Sequence, residues 1–122
     1  MQPKPGNVQT IAIIMIISGI INILAGITLT LAIVLGTFFL GILCVPLTLI
    51  PIGVGVYEII VGANILNNKP AKNVFLVGIM EVVSILWGNF LTMVAGILVL
   101  VFYNDPETKA YFDDLNGNII AR

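Results

Sequence analysis

From Val8 to Leu35 the chain is apolar with isolated polar interruptions, and no charged residue stands between Lys4 and Glu58. A helix needs about 20 apolar residues to cross a bilayer, so this stretch is long enough to cross at least twice. Gly36-Thr37 and the segment from Gly41 to Pro46 offer the break, because proline and the residue before it resist helical continuation. The pattern predicts one span over 8–34 and a second over 45–66, with Pro51 kinking the second near its outer end. Asn67-Asn68-Lys69-Pro70-Ala71-Lys72 is the clearest loop, rich in turn formers and charge. Two shorter apolar runs follow, over 73–87 and 90–103, separated by Trp87-Gly88-Asn89, where tryptophan suits the membrane interface. A single helix over 73–103 is the rival and would give three spans.

The chain then changes character. Asp105 suits an N-cap, Pro106 the first helical position, and Glu107 the positive end of a helix. Lys109 and Asp113 stand at i,i+4, and Gly117 is a plausible stop. These signals predict a short cytoplasmic helix over 106–115, either resting on the membrane or a partner through Tyr111, Phe112 and Leu115, or a solvated end. The fold class expected is all-α, a polytopic membrane protein formed as a four-transmembrane-helix bundle with this short C-terminal helix, all in one domain over 1–122.

Composition strengthens the membrane reading. Charged residues make up only 9% of the 122-residue chain, against roughly 25% in a soluble domain. A chain this short exposes much of its surface, so that surface is expected to meet lipid. The first apolar run far exceeds the roughly 7–15 residues of a signal-peptide core, and so reads as a span. Every basic residue lies at Lys4, Lys69, Lys72, Lys109 or Arg122. Four spans place all five on one side, and basic residues favour the cytoplasm. Both termini are therefore expected on the cytoplasmic side, and a three-span chain would strand Lys109 and Arg122 outside.

Charge and residue type also narrow the chemistry. A net charge of −1 leaves no basic footprint for nucleic acid. Histidine is absent and Cys44 is the sole cysteine, so the usual metal and haem ligands are missing. No nucleophile triad or phosphate-binding loop is present. The expectation is no enzyme, no metal and no cofactor, with Cys44 a buried inert thiol in preference to a mixed disulfide or a lipid attachment.

The polar residues inside the spans carry the functional interest. Glu58 and Glu81 each sit roughly 12–14 Å from the 67–72 loop, at 1.5 Å per residue. An acidic group at a helix centre costs about 2.5–3.5 kcal/mol on insertion scales and so faces an interior, a cavity or a partner. The short loop makes these helices antiparallel neighbours, and the two carboxyls can approach. Like charges in a low dielectric do not both ionise, so a shared proton, a cation site or an interhelical hydrogen bond all suit them. Val54-Gly55-Val56-Tyr57-Glu58-Ile59-Ile60 resembles Val77-Gly78-Ile79-Met80-Glu81-Val82-Val83. Asn22 follows Gly19 at the same spacing in the first span, and Val99 follows Gly96 in the last. Duplication and chance both remain open as its origin. Ser18, Asn22, Gly26 and Thr30 recur every four residues, giving a helix-packing seam or a cavity lining. Ser18, Gly26, Gly55, Gly62 and Gly78 are the expected packing positions, and Asn64 and Asn89 are explained by helix ends.

Pro5-Gly6-Asn7-Val8-Gln9-Thr10-Ile11-Ala12-Ile13, Met80-Glu81-Val82-Val83-Ser84-Ile85-Leu86 and the closing Leu100-Val101-Phe102-Tyr103-Asn104-Asp105-Pro106-Glu107-Thr108-Lys109-Ala110-Tyr111-Phe112 resemble small four-helix prokaryotic membrane proteins of unknown function. The Asn-Asp-Pro-Glu-x-Lys-x-Tyr-Phe ending is the distinctive part. The resemblance implies a bacterial inner-membrane protein and brings no activity with it. Size and a membrane glutamate also invite comparison with the small multidrug-resistance transporters, but those look to a glutamate in the first helix, where this chain has Asn22.

Three functional expectations follow. The first is a non-catalytic accessory or assembly subunit of a larger respiratory or photosynthetic type of membrane complex, in contact with lipids and larger subunits. The second is a small homo-oligomeric proton-coupled transporter or channel using Glu58 and Glu81. The third, a pigment- or lipid-contacting protein, suffers from the missing histidines.

Overall fold

The computed structural model describes residues 3–120, so Arg122 lies outside the described residues. The fold is all-helical, and no strand occurs among the described residues. Helix α1 runs Gly6–Gly36, an unbroken 31 residues. A turn at Phe38 and Phe39, both with positive φ, reverses the chain. A 3-10 turn (Leu40–Cys44) then leads into the short α2 (Val45–Thr48) and into α3 (Ile50–Leu66). After the 67–73 loop come α4 (Val74–Val83), a 3-10 turn (Ser84–Trp87), α5 (Phe90–Tyr103) and α6 (Pro106–Ile120).

Two helical stretches are long and apolar enough to cross a membrane: α1, and the continuous Leu40–Leu66 run. A third qualifies only if α5 and α6 count as one span, and these meet at a bend of 86°. The segment Val74–Trp87 is apolar but shorter. Large apolar side chains line the outside, among them Ile17, Leu24, Leu31, Val56, Ile60, Leu76 and Val101. On a soluble domain, surface of that extent would mark an interaction or membrane face.

The second apolar stretch differs in detail from one helix kinked at Pro51. The break falls at Leu49, and Pro51 sits in the first turn of α3, where proline is tolerated. Proline has no N–H, so the carbonyl of Leu47, four residues earlier, loses its helical donor. The indole of Trp87 donates to that carbonyl instead, at 3.2 Å.

Two antiparallel hairpins make the bundle, α1 with α3 and α4 with α5, and α1 also lies along α5. Glycines set both crossings. A Cβ on Gly19 would stand 2.5 Å from the carbonyl oxygen of Gly55, and one on Gly96 would stand 2.7 Å from that of Gly78. Backbones this close leave no room for a side chain. The expected packing glycines all lie at contacts: Gly26 against Ile52, Gly55 against Gly19, Gly62 against Ala12 and Ile16, and Gly78 against Val99 and Leu100.

The buried apolar core occupies the half of the bundle near the 67–73 loop. It comprises Val8, Ile11, Ala12, Met15, Val61, Ile65, Val74, Val77 and Val99, closed beneath by Tyr111, Phe112 and Leu115 of α6. Helix α6 is held there by polar contacts as well. Asn116 donates to the carbonyl of Ala71 and accepts from its N–H, both at 3.1 Å. The Tyr111 hydroxyl donates to Asn68 at 3.1 Å. The helix is longer than the 106–115 expected, and it packs on the bundle rather than standing free in solvent.

Candidate functional site

Above the apolar core lies a layer of buried polar side chains supplied by both hairpins. Helix α1 brings Ser18 and Asn22, one turn apart on the face that meets α3. Helix α3 brings Glu58, and α4 brings Glu81. The 3-10 turn adds Ser84, and the start of α5 adds Asn89 and Thr92. Glu58, Glu81, Asn22 and Thr92 are wholly buried, and Ser18 is 1% exposed.

Asn22 is the hub. Its Nδ2 donates to both carboxylate oxygens of Glu58, at 3.0 Å each. Its Oδ1 accepts from Asn89 Nδ2 at 2.8 Å. Asn89 also caps α5, accepting from the backbone N–H of Thr92 at 3.4 Å. Ser84 and Thr92 hydrogen-bond to each other through their hydroxyls. Further along α1, Thr30 meets Thr48 at 2.9 Å. The every-fourth-residue stripe of α1 thus bonds across to α3 and α2 at Asn22 and Thr30, and packs at Gly26.

Glu81 is different. Among the described residues neither of its carboxylate oxygens has a hydrogen-bond partner, and neither has the hydroxyl of Ser18. The Ser18 hydroxyl lies near both carboxyls as a donor that is not in bonding geometry to either, and Glu81 also feels the charge of Glu58. The structure therefore brings Glu58, Glu81, Asn22 and Ser18 together, while Gly26, Gly62 and Gly78 lie at helix crossings.

The reason Glu81 lacks a partner can be read from the hairpins. A Cβ at Gly55 would meet Asn22, and one at Gly96 would meet Glu81. A Cβ at Gly19 would meet Ile59, and one at Gly78 would meet Leu100. Position for position, Gly19 and Asn22 correspond to Gly78 and Glu81. Gly55, Glu58 and Ile59 correspond to Gly96, Val99 and Leu100. In the first hairpin an amide faces a carboxylate. In the second, the position that corresponds to Glu58 is Val99, which can neither donate nor accept. Buried polar groups are nearly always bonded, so this carboxyl is an exception that calls for a cause.

Capping or headgroup contact, expected for Asn89 from its place at a helix end, accounts for its bond to Thr92 but not for its bond to Asn22. Ser84 and Thr92 were not anticipated. The available signal was periodicity: Ser84 lies three residues beyond Glu81 and Thr92 four before Gly96, each on the face already marked by its neighbour. Cys44 is exposed rather than buried, because the 3-10 turn that carries it buries only Gly41. Among the described residues no cluster of metal-binding side chains occurs.

No protein-family model, no curated protein and no solved structure matches this chain. What the fold and site define is an all-helical protein, with two or three helices long and apolar enough to cross a membrane, enclosing a buried carboxyl pair.

Proposed function

We propose that this chain is a four-span protein of a bacterial cytoplasmic membrane, both termini inside, that moves protons as a homo-oligomer through Glu58 and Glu81. The observation carrying this reading is Glu81, wholly buried beside a second carboxyl and without a hydrogen-bond partner. A carboxyl serving only to hold helices together would be paired, as Glu58 is with Asn22. An intramembrane acid kept without a partner is suited to receive and release a proton. The polar groups face one another inside the bundle, and the exterior is apolar, so the chemistry belongs to the chain itself. Proton movement is measured with the purified chain in liposomes, under an imposed pH gradient and with a pH-sensitive dye inside. We expect flux that the Glu58→Gln, Glu81→Gln double variant abolishes. Equal flux in that variant, once it is shown to be folded, refutes the role of the carboxyls.

A second reading is favoured by a different feature. Helix α1 is 31 residues long, whereas α5 has 14. The turn beyond the outer end of α1 is correspondingly bare, with Phe38, Leu40 and Leu43 at least 81% exposed. A larger membrane subunit lying on that turn would make the chain an accessory component of a complex. Mild extraction followed by native mass spectrometry separates the two: stoichiometric larger subunits favour the accessory role, and a homo-oligomer favours transport.

A further inference from the structure

We propose that water reaches the carboxyl layer from the Trp87 end alone, through a one-water site between Asn22 and Ser84 that the Trp87 indole closes. This deepens the proton reading and rests on it for its purpose, although the route itself stands on separate observations.

The first observation is a cavity of about 20 Å³ between α3 and α4, lined by Asn22, Pro51, Val54, Met80, Ser84 and Trp87 among others. A cavity needs roughly 10–15 Å³ on this measure to hold one water, together with two or more polar partners. Asn22 and Ser84 supply them. The Asn22 carbonyl oxygen has two lone pairs and uses one for Asn89, so a water can donate to the other. The Ser84 hydroxyl oxygen can accept a second bond. Such a water is linked to Glu58 by two hydrogen bonds in series, its own to Asn22 and that of Asn22 to the carboxyl.

The second observation is the closure. The lining of the cavity passes from buried Asn22 to half-buried Trp87 and exposed Ile50. There the indole N–H of Trp87 bonds the Leu47 carbonyl and bridges α4's extension to α2. That carbonyl is free because Pro51 cannot donate to it. The bond is single, neutral and at the surface. Such a bond contributes little net stability, so it can open and reclose.

The third observation is the opposite end. Below the carboxyls, Met15, Val61, Ile65, Val77 and Phe112 are packed at 4% exposure or less. These apolar side chains offer a water no partner, and the docked α6 covers them.

The test uses Cys44→Ser chains carrying one reporter cysteine, reconstituted in vesicles. Lys72→Cys marks the face of the 67–73 loop. Val54→Cys reports the cavity and Val61→Cys the apolar plug. Silver ion, close to water in size, is added to one face at a time, and blocked thiol is read by later maleimide labelling of solubilised protein. We expect Val54→Cys to be blocked only from the face opposite Lys72→Cys. The rate should rise at least tenfold in Trp87→Ala and by a smaller factor in Trp87→Phe, which keeps the ring and loses the N–H. Val61→Cys should resist from both faces. Blocking of Val54→Cys from the Lys72 face, a rate unaffected by either tryptophan variant, or no reaction even in Trp87→Ala overturns the proposal. Thiol blocking does not depend on the carboxyls, so flux unchanged in the Glu58→Gln, Glu81→Gln variant with this access pattern intact retires the proton reading and leaves the route standing.

Discussion

Replacing Val99 with asparagine tests the correspondence between the hairpins directly. If Val99 occupies in the second hairpin the place that Glu58 holds in the first, an amide there faces Glu81 across the Gly78–Gly96 crossing. Val61 supplies the reference, since it too is a buried valine of the apolar core. Burying an unpaired amide at Val61 costs about 1–3 kcal/mol. At Val99 the same amide gains an interhelical hydrogen bond, worth about 0.6 kcal/mol on average and up to about 1.7 in membrane bundles. Val99→Asn should therefore be less destabilising than Val61→Asn by roughly that amount. Reversible unfolding in bicelles measures both. A double-mutant cycle isolates the pair: in a Glu81→Ala background the advantage of Val99→Asn should vanish, leaving a coupling of about 0.6–1.7 kcal/mol. A Val99→Asn cost equal to or above that of Val61→Asn, with no coupling to Glu81, would refute the correspondence and with it the explanation for the orphaned carboxyl.

Asn22→Ala strips both bonds from Glu58 and the acceptor from Asn89, and should cost about 1–3 kcal/mol in the same unfolding assay. Asn116→Ala removes the two-bond clamp on Ala71. It should weaken the docking of α6 by about 1–2 kcal/mol, read as faster proteolysis after Lys109 in intact vesicles. The backbone N–H and hydroxyl of Thr108, bonded to Asp105 at 3.1 and 3.0 Å, hold the Asp105 carboxyl below its ordinary value. Its support for α6 is present above the unfolded pKa, about 4, and is lost as pH falls through the lower folded value. Tail proteolysis should therefore accelerate in strongly acid buffer for the native chain, and Asp105→Asn should remove that part of the pH dependence.

Much of the helical content was legible because the apolar runs are long and the breaks carry proline, glycine or asparagine. The approach of Glu58 to Glu81 followed from one short loop and one helical repeat. What the sequence left unspecified was pairing. Asn22 was visible as a polar interruption, but its bonds to Glu58 on α3 and to Asn89 at the start of α5 depend on the order of helices around the bundle. That order is set by backbone contacts at Gly19–Gly55 and Gly78–Gly96. The hold of Trp87 on the Leu47 carbonyl needed two facts at once, a proline at 51 and the proximity of the two turns. The number of spans was the least legible quantity, since Val74–Trp87 and Phe90–Tyr103 carry apolar composition without the usual length.

That difference in length has a mechanical consequence for the surrounding bilayer. At 1.5 Å per residue the 14 residues of α5 extend roughly 21 Å, while a typical hydrocarbon layer is about 30 Å thick. Where α4 and α5 both cross, lipid beside them must compress by roughly 9 Å, whereas lipid beside α1 need not. Mismatch costs a fraction of a kcal/mol per Å, which is relieved when two thin flanks share one dimple. The protein would then deform its membrane on one flank only, drawing copies together along that side and favouring thin bilayers over thick ones.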